Sequence, residues 1–212
     1  MADDNNGDGI TGDTAIAVLA VNPDKPSDQQ IRVQVRKLSD NALIANWHFL
    51  NANWTAIALE AVDRSSASPL LAVLAHKAST GMNVVQARRL SDGVVQRDTG
   101  AWDASWVAQD LAIVNDANGD GNSNDPAYLV LAFNPDNVSN KVQALRVSDG
   151  AQLKNVPVLG SNWRATRVTG SGDLSGNLHE EVGVLGERRI DGLLLIHMVD
   201  YEDRTNTAVI FP

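Results

Sequence analysis

Three octapeptides align without a gap: QVRKLSDN at 34–41, QARRLSDG at 86–93 and QALRVSDG at 143–150, separated by 52 and then 57 residues. A second signature, Trp-x-Ala-x-x-Leu/Val, keeps the same spacing at Trp54 to Leu59, Trp106 to Leu111 and Trp163 to Val168. An apolar stretch recurs as well: AIAVLAV from Ala15, LLAVLA from Leu70, YLVLAF from Tyr128 and a weaker EVGVLG from Glu181. A repeated unit of this size is one supersecondary module, too small to bury its apolar face alone, that gains a core by packing on its neighbours. The 212 residues hold four such units, approximately 1–53, 54–105, 106–162 and 163–212.

Each unit reads as strand, turn, strand, turn, strand, turn, strand, with no stretch of 3.6-residue amphipathic periodicity. Asp outnumbers Glu 21 to 5 and Asn outnumbers Gln 19 to 8, so the polar residues are the short ones that favour turns over helices. The sequence therefore predicts an all-β fold, a β-propeller of four-stranded antiparallel blades in a single domain or propeller segment. The second strand of each unit is apolar on both faces and should be sandwiched between sheets, whereas the third alternates and should lie nearer solvent. The first unit begins directly in its loop, without a Trp-led strand. Three origins for a replacement stand open: a longer array, an exchange with the segment Asn206 to Phe211, or a homo-oligomer in which another copy completes the propeller.

Units one and three open with the same string, Asp4-Asn5-Asn6-Gly7-Asp8-Gly9 and Asp116-Ala117-Asn118-Gly119-Asp120-Gly121. Oxygen ligands at positions 1, 3 and 5 followed by glycine at 6 suit Ca2+, because alternate residues of a tightly turning backbone converge on one hard cation. The expected ligands are Asp4, Asn6, Asp8, the Ile10 carbonyl and Asp13 in one loop, and Asp116, Asn118, Asp120, the Asn122 carbonyl and Asp125 in the other. Two such ions would bring the formal charge from -9 to -5. Asp-Asn-Gly clusters also make plain turns, but the same string twice in register, each time with an acid at position 10, favours metal. The loops at Asp63 and at Gly170 to Asp173 keep too few acids to bind one.

The D-x-N-x-D-G loop between an aromatic-led strand and a V-L-A strand resembles the FG-GAP and VCBS repeats of integrin α-subunit propellers and secreted bacterial proteins. The resemblance spans nearly the whole chain and implies calcium loops on a propeller scaffold. Two features depart from that pattern. The last carboxylate falls at position 10 rather than 9, leaving Asn124 as a rival to Asp125, and the Phe-Gly and Gly-Ala-Pro signatures are missing.

Other candidates are sparse. Trp54, Trp106 and Trp163 recur in register and should pack between blades; Trp47 and Trp102 lie outside it and, if exposed, offer sugar-stacking platforms. The Q-x-x-K/R-L/V-S-D-G segments read as a polar strand face entering a tight turn. His48, His76, His179 and His197 fall at unrelated places, there is no cysteine, and the acid pairs Glu180-Glu181 (beside His179) and Asp200 with Glu202 and Asp203 read as solvated strand ends. No catalytic residue is assigned. The net charge of -9 argues against nucleic acid, and no apolar run is long enough for membrane insertion. The expectation is a calcium-stabilised, non-catalytic adhesion module with a protein or carbohydrate ligand, from a secreted or surface bacterial protein whose signal peptide lies outside these residues. The alternative is a polysaccharide-active lyase or glycosidase, or a fragment of one.

Overall fold

The computed structural model describes residues 15–22, 24, 30–50, 53–62, 69–100, 102–116, 125–172 and 180–200, together with the backbone of 206–211. Among these residues there are fifteen strands and no helix. They form four antiparallel sheets, each a meander in chain order. Sheet 1 is β1 (Ala15–Val21), β2 (Ile31–Lys37) and β3 (Leu43–His48). Sheet 2 is β4 (Thr55–Val62), β5 (Leu70–Lys77), β6 (Met82–Arg89) and β7 (Val95–Asp98). Sheet 3 is β8 (Val107–Val114), β9 (Ala127–Asn134), β10 (Ser139–Arg146) and β11 (Gln152–Pro157). Sheet 4 is β12 (Trp163–Gly170), β13 (Glu181–Arg188), β14 (Leu194–Asp200) and β15 (Asn206–Phe211). The Asn206 to Phe211 segment pairs with β14 and forms the fourth strand of its own sheet, so it is not the replacement first strand of sheet 1.

The cores lie between sheets. Successive residues of a strand point to opposite faces, and β5 uses both: Leu70, Ala72 and Leu74 join a cluster with Leu111 and Val130 of sheet 3, while Leu71 and Val73 join Val33, Val35 and Phe49 of sheet 1. Likewise Leu129 and Leu131 of β9 meet Val168 and Val184 of sheet 4. This two-sided burial is why the second strand of a unit has no polar face, and each such Leu or Val contributes about 1.5–3 kcal/mol. The leading strands β4, β8 and β12 pack side by side.

All three leading strands carry the same irregularity. Their pairing with the next strand shifts by one residue between Ala56 and Ala58, between Ala108 and Asp110, and between Ala165 and Arg167. The extra residue is a β-bulge, which raises the local twist, and it falls between the Ala and the Leu/Val of the repeated Trp-x-Ala-x-x-Leu/Val string.

The third strands depart from the sequence expectation. β6 and β10 are buried along their middles, polar residues included, and only β2 alternates. Hydrogen bonds across the seams between sheets make this burial tolerable. Asn83 of β6 donates Nδ2 to the Trp106 carbonyl at 2.8 Å and accepts the Ala108 N–H at 3.0 Å. Asn140 of β10 repeats the pair on sheet 4, with the Trp163 carbonyl at 3.1 Å and the Ala165 N–H at 3.2 Å. In the second and third blades the first residue of the Q-x-x-K/R string ties backwards: Gln86 Oε1 accepts the Leu50 N–H at 3.2 Å, and Gln143 Oε1 accepts Trp102 Nε1–H at 2.8 Å.

Candidate functional site

The loop heading unit three leaves β8 at Asn115 and returns at Pro126, just before β9. Its first and tenth positions, Asp116 and Asp125, face each other in an isolated parallel bridge, and Asp116 is buried. Glu180, at the entry to β13, accepts the backbone N–H of Asn115 at 2.6 Å and lies 3.5 Å from that of Asp116. On the exit side the Val147 N–H bonds the Pro126 carbonyl at 2.9 Å. The loop is thus anchored within its own sheet and against the next. A cleft of about 250 Å3 opens beside it, lined by Gln96, Arg97, Asp125, Pro126 and Ser148. Arg97 donates across the seam to the Ser148 carbonyl.

Two carboxylates held at the closure of one loop are hard oxygen donors of the kind Ca2+ takes, so the part of the predicted ligand set that is described fits the ion. Asn118, Asp120 and Asn122 of this loop, the rival Asn124, and Asp4, Asn6, Asp8, Ile10 and Asp13 of the first lie outside the described residues. Among the described residues no group of three or more His, Asp and Glu side chains gathers around a point. Glu180 escaped the sequence reading as part of this site. It lies 64 residues from Asp116, and only the side-by-side packing of the two leading strands brings it there.

The acid pairs read as solvated strand ends behave differently. Glu181 and Asp200 are buried and opposite each other in the β13–β14 register; His179, Glu202 and Asp203 lie outside the described residues. The tryptophans are partly buried without exception. Lys77 lies 5.9 Å from the Trp54 ring, Lys141 lies 4.2 Å from the Trp106 ring and Arg188 lies 5.9 Å from the Trp163 ring, each cation coming from the same sheet. Trp54 also packs against the first core, whereas Trp106 and Trp163 tie to the preceding sheet through their carbonyls. Trp47 packs against that first core and Trp102 against the second, so neither is the open stacking platform that the sequence allowed.

The S-D-G segments are turns, as expected from their residues. Asp40, Asp92 and Asp149 each accept the N–H two residues on, at 2.9, 3.1 and 2.9 Å. Arg89 and Arg146 pair with Asp92 and Asp149 at 2.7 and 2.9 Å, and Arg188 pairs with Asp191. These contacts hold the carboxyls of Asp92 and Asp149, foremost through their backbone N–H bonds, and of Asp191, foremost through Arg188, below the ordinary carboxylate range.

No family model matches the chain, and no curated protein matches it. Solved structures do. The Dos1 propeller superposes with a TM-score of 0.59 at 10% identity, over 92% of this chain and 47% of that one. This chain is a β-propeller in fold. A mutant of the Synechocystis apocarotenoid oxygenase superposes with a TM-score of 0.52 at 11% identity, over 92% of this chain and 46% of that one. At such identities the likeness concerns the fold alone. The chain spans about half the length of those two structures.

Proposed function

We propose that this propeller is a calcium-stabilised, non-catalytic binding module of the FG-GAP/VCBS type, belonging to a secreted or cell-surface protein and recognising a protein or a carbohydrate. The reading rests on one observation above all: Asp116 and Asp125, the first and tenth residues of a loop whose motif recurs at Asp4 to Asp13, are bridged to each other. Asp116 and Asp125, with Asp120 and its neighbours, would hold the ion in one loop, and Asp4, Asp8 and Asp13 in the other. The ion would neutralise carboxylates that each loop sequence sets a few residues apart. The cleft beside Asp125, bordered by Arg97, Gln96 and Ser148, is polar and lies on the same rim as the loop, which suits a ligand that meets a calcium-ordered surface.

Thermal unfolding with Ca2+ and with EDTA tests the reading. The chelated chain should melt at a lower temperature, and Asp8→Ala combined with Asp120→Ala should abolish the difference. Identical melting curves in Ca2+ and EDTA would overturn it. Incubation with neutral and anionic polysaccharides, followed by assay for new reducing ends or unsaturated products, tests the non-catalytic part; turnover would favour the lyase or glycosidase alternative.

A further inference from the structure

The outer strands of the first three blades each carry one residue more than their partner. β3 pairs with β2 through Val35 to Ala45 and then Arg36 to Leu43, β7 with β6 through Ala87 to Arg97 and then Arg88 to Val95, and β11 with β10 through Ala144 to Lys154 and then Leu145 to Gln152. The bulged residues are therefore Ile44, Gln96 and Leu153, all at one position of the repeat. Ile44 packs on the core between sheets 1 and 2, and Leu153 packs on the core between sheets 3 and 4. Gln96 stands where such an aliphatic side chain would plug the seam between sheets 2 and 3, and it is exposed. A bulge that re-aims a side chain is a feature of strands beside sites.

At that seam lies the cleft of about 250 Å3. Its floor is made by the buried Leu70, Pro126 and Val147, its rim by the exposed Gln96 and Ser148, and the partly buried Arg97 lines it as well. The polar groups are unused. Among the described residues the Gln96 amide and the Ser148 hydroxyl make no hydrogen bond and Arg97 makes no ion pair. The guanidinium has one bond, from Nη2 to the Ser148 carbonyl, which leaves Nη1 open and Nε buried without a partner. Asp149, the carboxylate that feels the Arg97 charge, is already engaged by Arg146 and by the Ala151 N–H. A half-desolvated guanidinium with donors to give favours an anion, above all a carboxylate.

We propose that the cleft binds one carboxylated sugar, a uronate unit of an acidic polysaccharide. The carboxylate lies on Arg97, the hydroxyls on Gln96 and Ser148, and the C–H face of the ring on Leu70, Pro126 and Val147. The volume falls below the ~300–1,000 Å3 of sites for drug-sized ligands, which suits a single ring. An extended peptide reads alternate side chains along several residues of a strand edge, more than this cleft offers. The cleft also touches Asp125, whose charge bound calcium would offset, so the inference rests on the reading of a calcium-stabilised binding module.

Calorimetric titration of the full chain in Ca2+ uses a galacturonate tetrasaccharide and, as its uncharged counterpart, a galactose tetrasaccharide. The uronate should saturate at one per chain, and the neutral sugar should bind at least about tenfold more weakly. Arg97→Gln should weaken uronate binding by about tenfold or more. Gln96→Leu restores the aliphatic plug of the neighbouring seams, so uronate binding should be lost while the melting temperature equals or exceeds that of the native chain. A purely structural glutamine would not show that split. Absence of saturable uronate binding, equal affinity for the neutral sugar, or undiminished binding by either variant would each overturn the proposal, as would preference for an acidic peptide of equal charge. The EDTA melting comparison is independent of these outcomes. A calcium shift without uronate binding removes this inference and leaves the module, whereas uronate binding without a calcium shift removes the calcium and keeps the cleft.

Discussion

Asn83 Oδ1 accepts the backbone N–H of Ala108 at 3.0 Å, so a side chain from the third strand of one blade holds the leading strand of the next. Asn140 does the same for Ala165. Unit one has Ile31 at this place, buried in the apolar core, and its seam with the second blade carries the Leu50 N–H to Gln86 bond instead. Truncation of Asn83 or Asn140 to Ala leaves a buried N–H and a carbonyl without partners and should cost about 1–3 kcal/mol each. The two seams share no partners, so the double variant should show the sum. Urea unfolding of the three variants measures both points.

Glu180 is expected to report on the proposed calcium loop. It fixes the backbone where the loop leaves β8, and Glu180→Ala should loosen the start of the ligand set. Calcium titration by calorimetry should then show one of two sites weakened by about tenfold, with the other unchanged. Equal weakening of both sites, or of neither, would contradict this link.

The turn carboxylates predict an acid limb of stability. Because Asp92, Asp149 and Asp191 have depressed folded pKa values, their contribution is fully present above the ordinary value of 3.8 and is lost as pH falls through and below it. Melting temperature should therefore fall more steeply below that pH in the native chain than in the triple Asp→Asn variant. Since the backbone bond leads at Asp92 and Asp149 and the Arg188 contact leads at Asp191, added salt should weaken the Asp191 contribution most.

Glu60 works in the opposite direction. Burial and the nearby Asp110 raise its carboxyl above 4.5, so its charged form opposes folding at neutral pH. The cost is complete above the raised value and disappears as pH falls to 4.5. Glu60→Gln should raise the melting temperature at pH 7 and leave it nearly unchanged at pH 4, as a pair of thermal scans would show.

Gly93 and Gly100 share a φ of 72°, but only one is crowded. A Cβ on Gly93 would meet Trp47 Nε1 at 2.3 Å, whereas nothing lies within 4 Å of one on Gly100. Gly100→Ala should cost about 1 kcal/mol for the left-handed backbone alone, and Gly93→Ala should cost about 1–3 kcal/mol more, because the indole must move. Chemical denaturation of the two variants, with Trp47 fluorescence as a second readout, checks the difference.

The blade pattern could be read from the sequence because strand periodicity and turn residues are local signals, and because repetition multiplied them. The Asp-Gly of unit four departs from the repeat: Asp191-Gly192 turns between the second and third strands, whereas Asp92-Gly93 and Asp149-Gly150 turn between the third and fourth. What local signals do not carry is the partner across a seam. Asn83 and Asn140 are two of 19 asparagines, and the one hint to their role was a constant offset of three residues before a repeated glutamine. The burial of β6 and β10 was missed for the same reason, since a polar strand looks solvated until its distant partners are known. Of the loop proposed to hold calcium, the motif is local and was visible; the brace from Glu180 is tertiary and was not.

Because every apolar cluster among the described residues is shared by two sheets, a single repeat should not survive as an independent piece. The minimal folding element is a neighbouring pair with one closed seam. Fragments should be cut with that in mind: residues 54–162 retain the seam between the second and third blades, with its Asn83 tie and its full cluster, whereas any one unit in isolation would be a sheet with two greasy faces and nothing to press against.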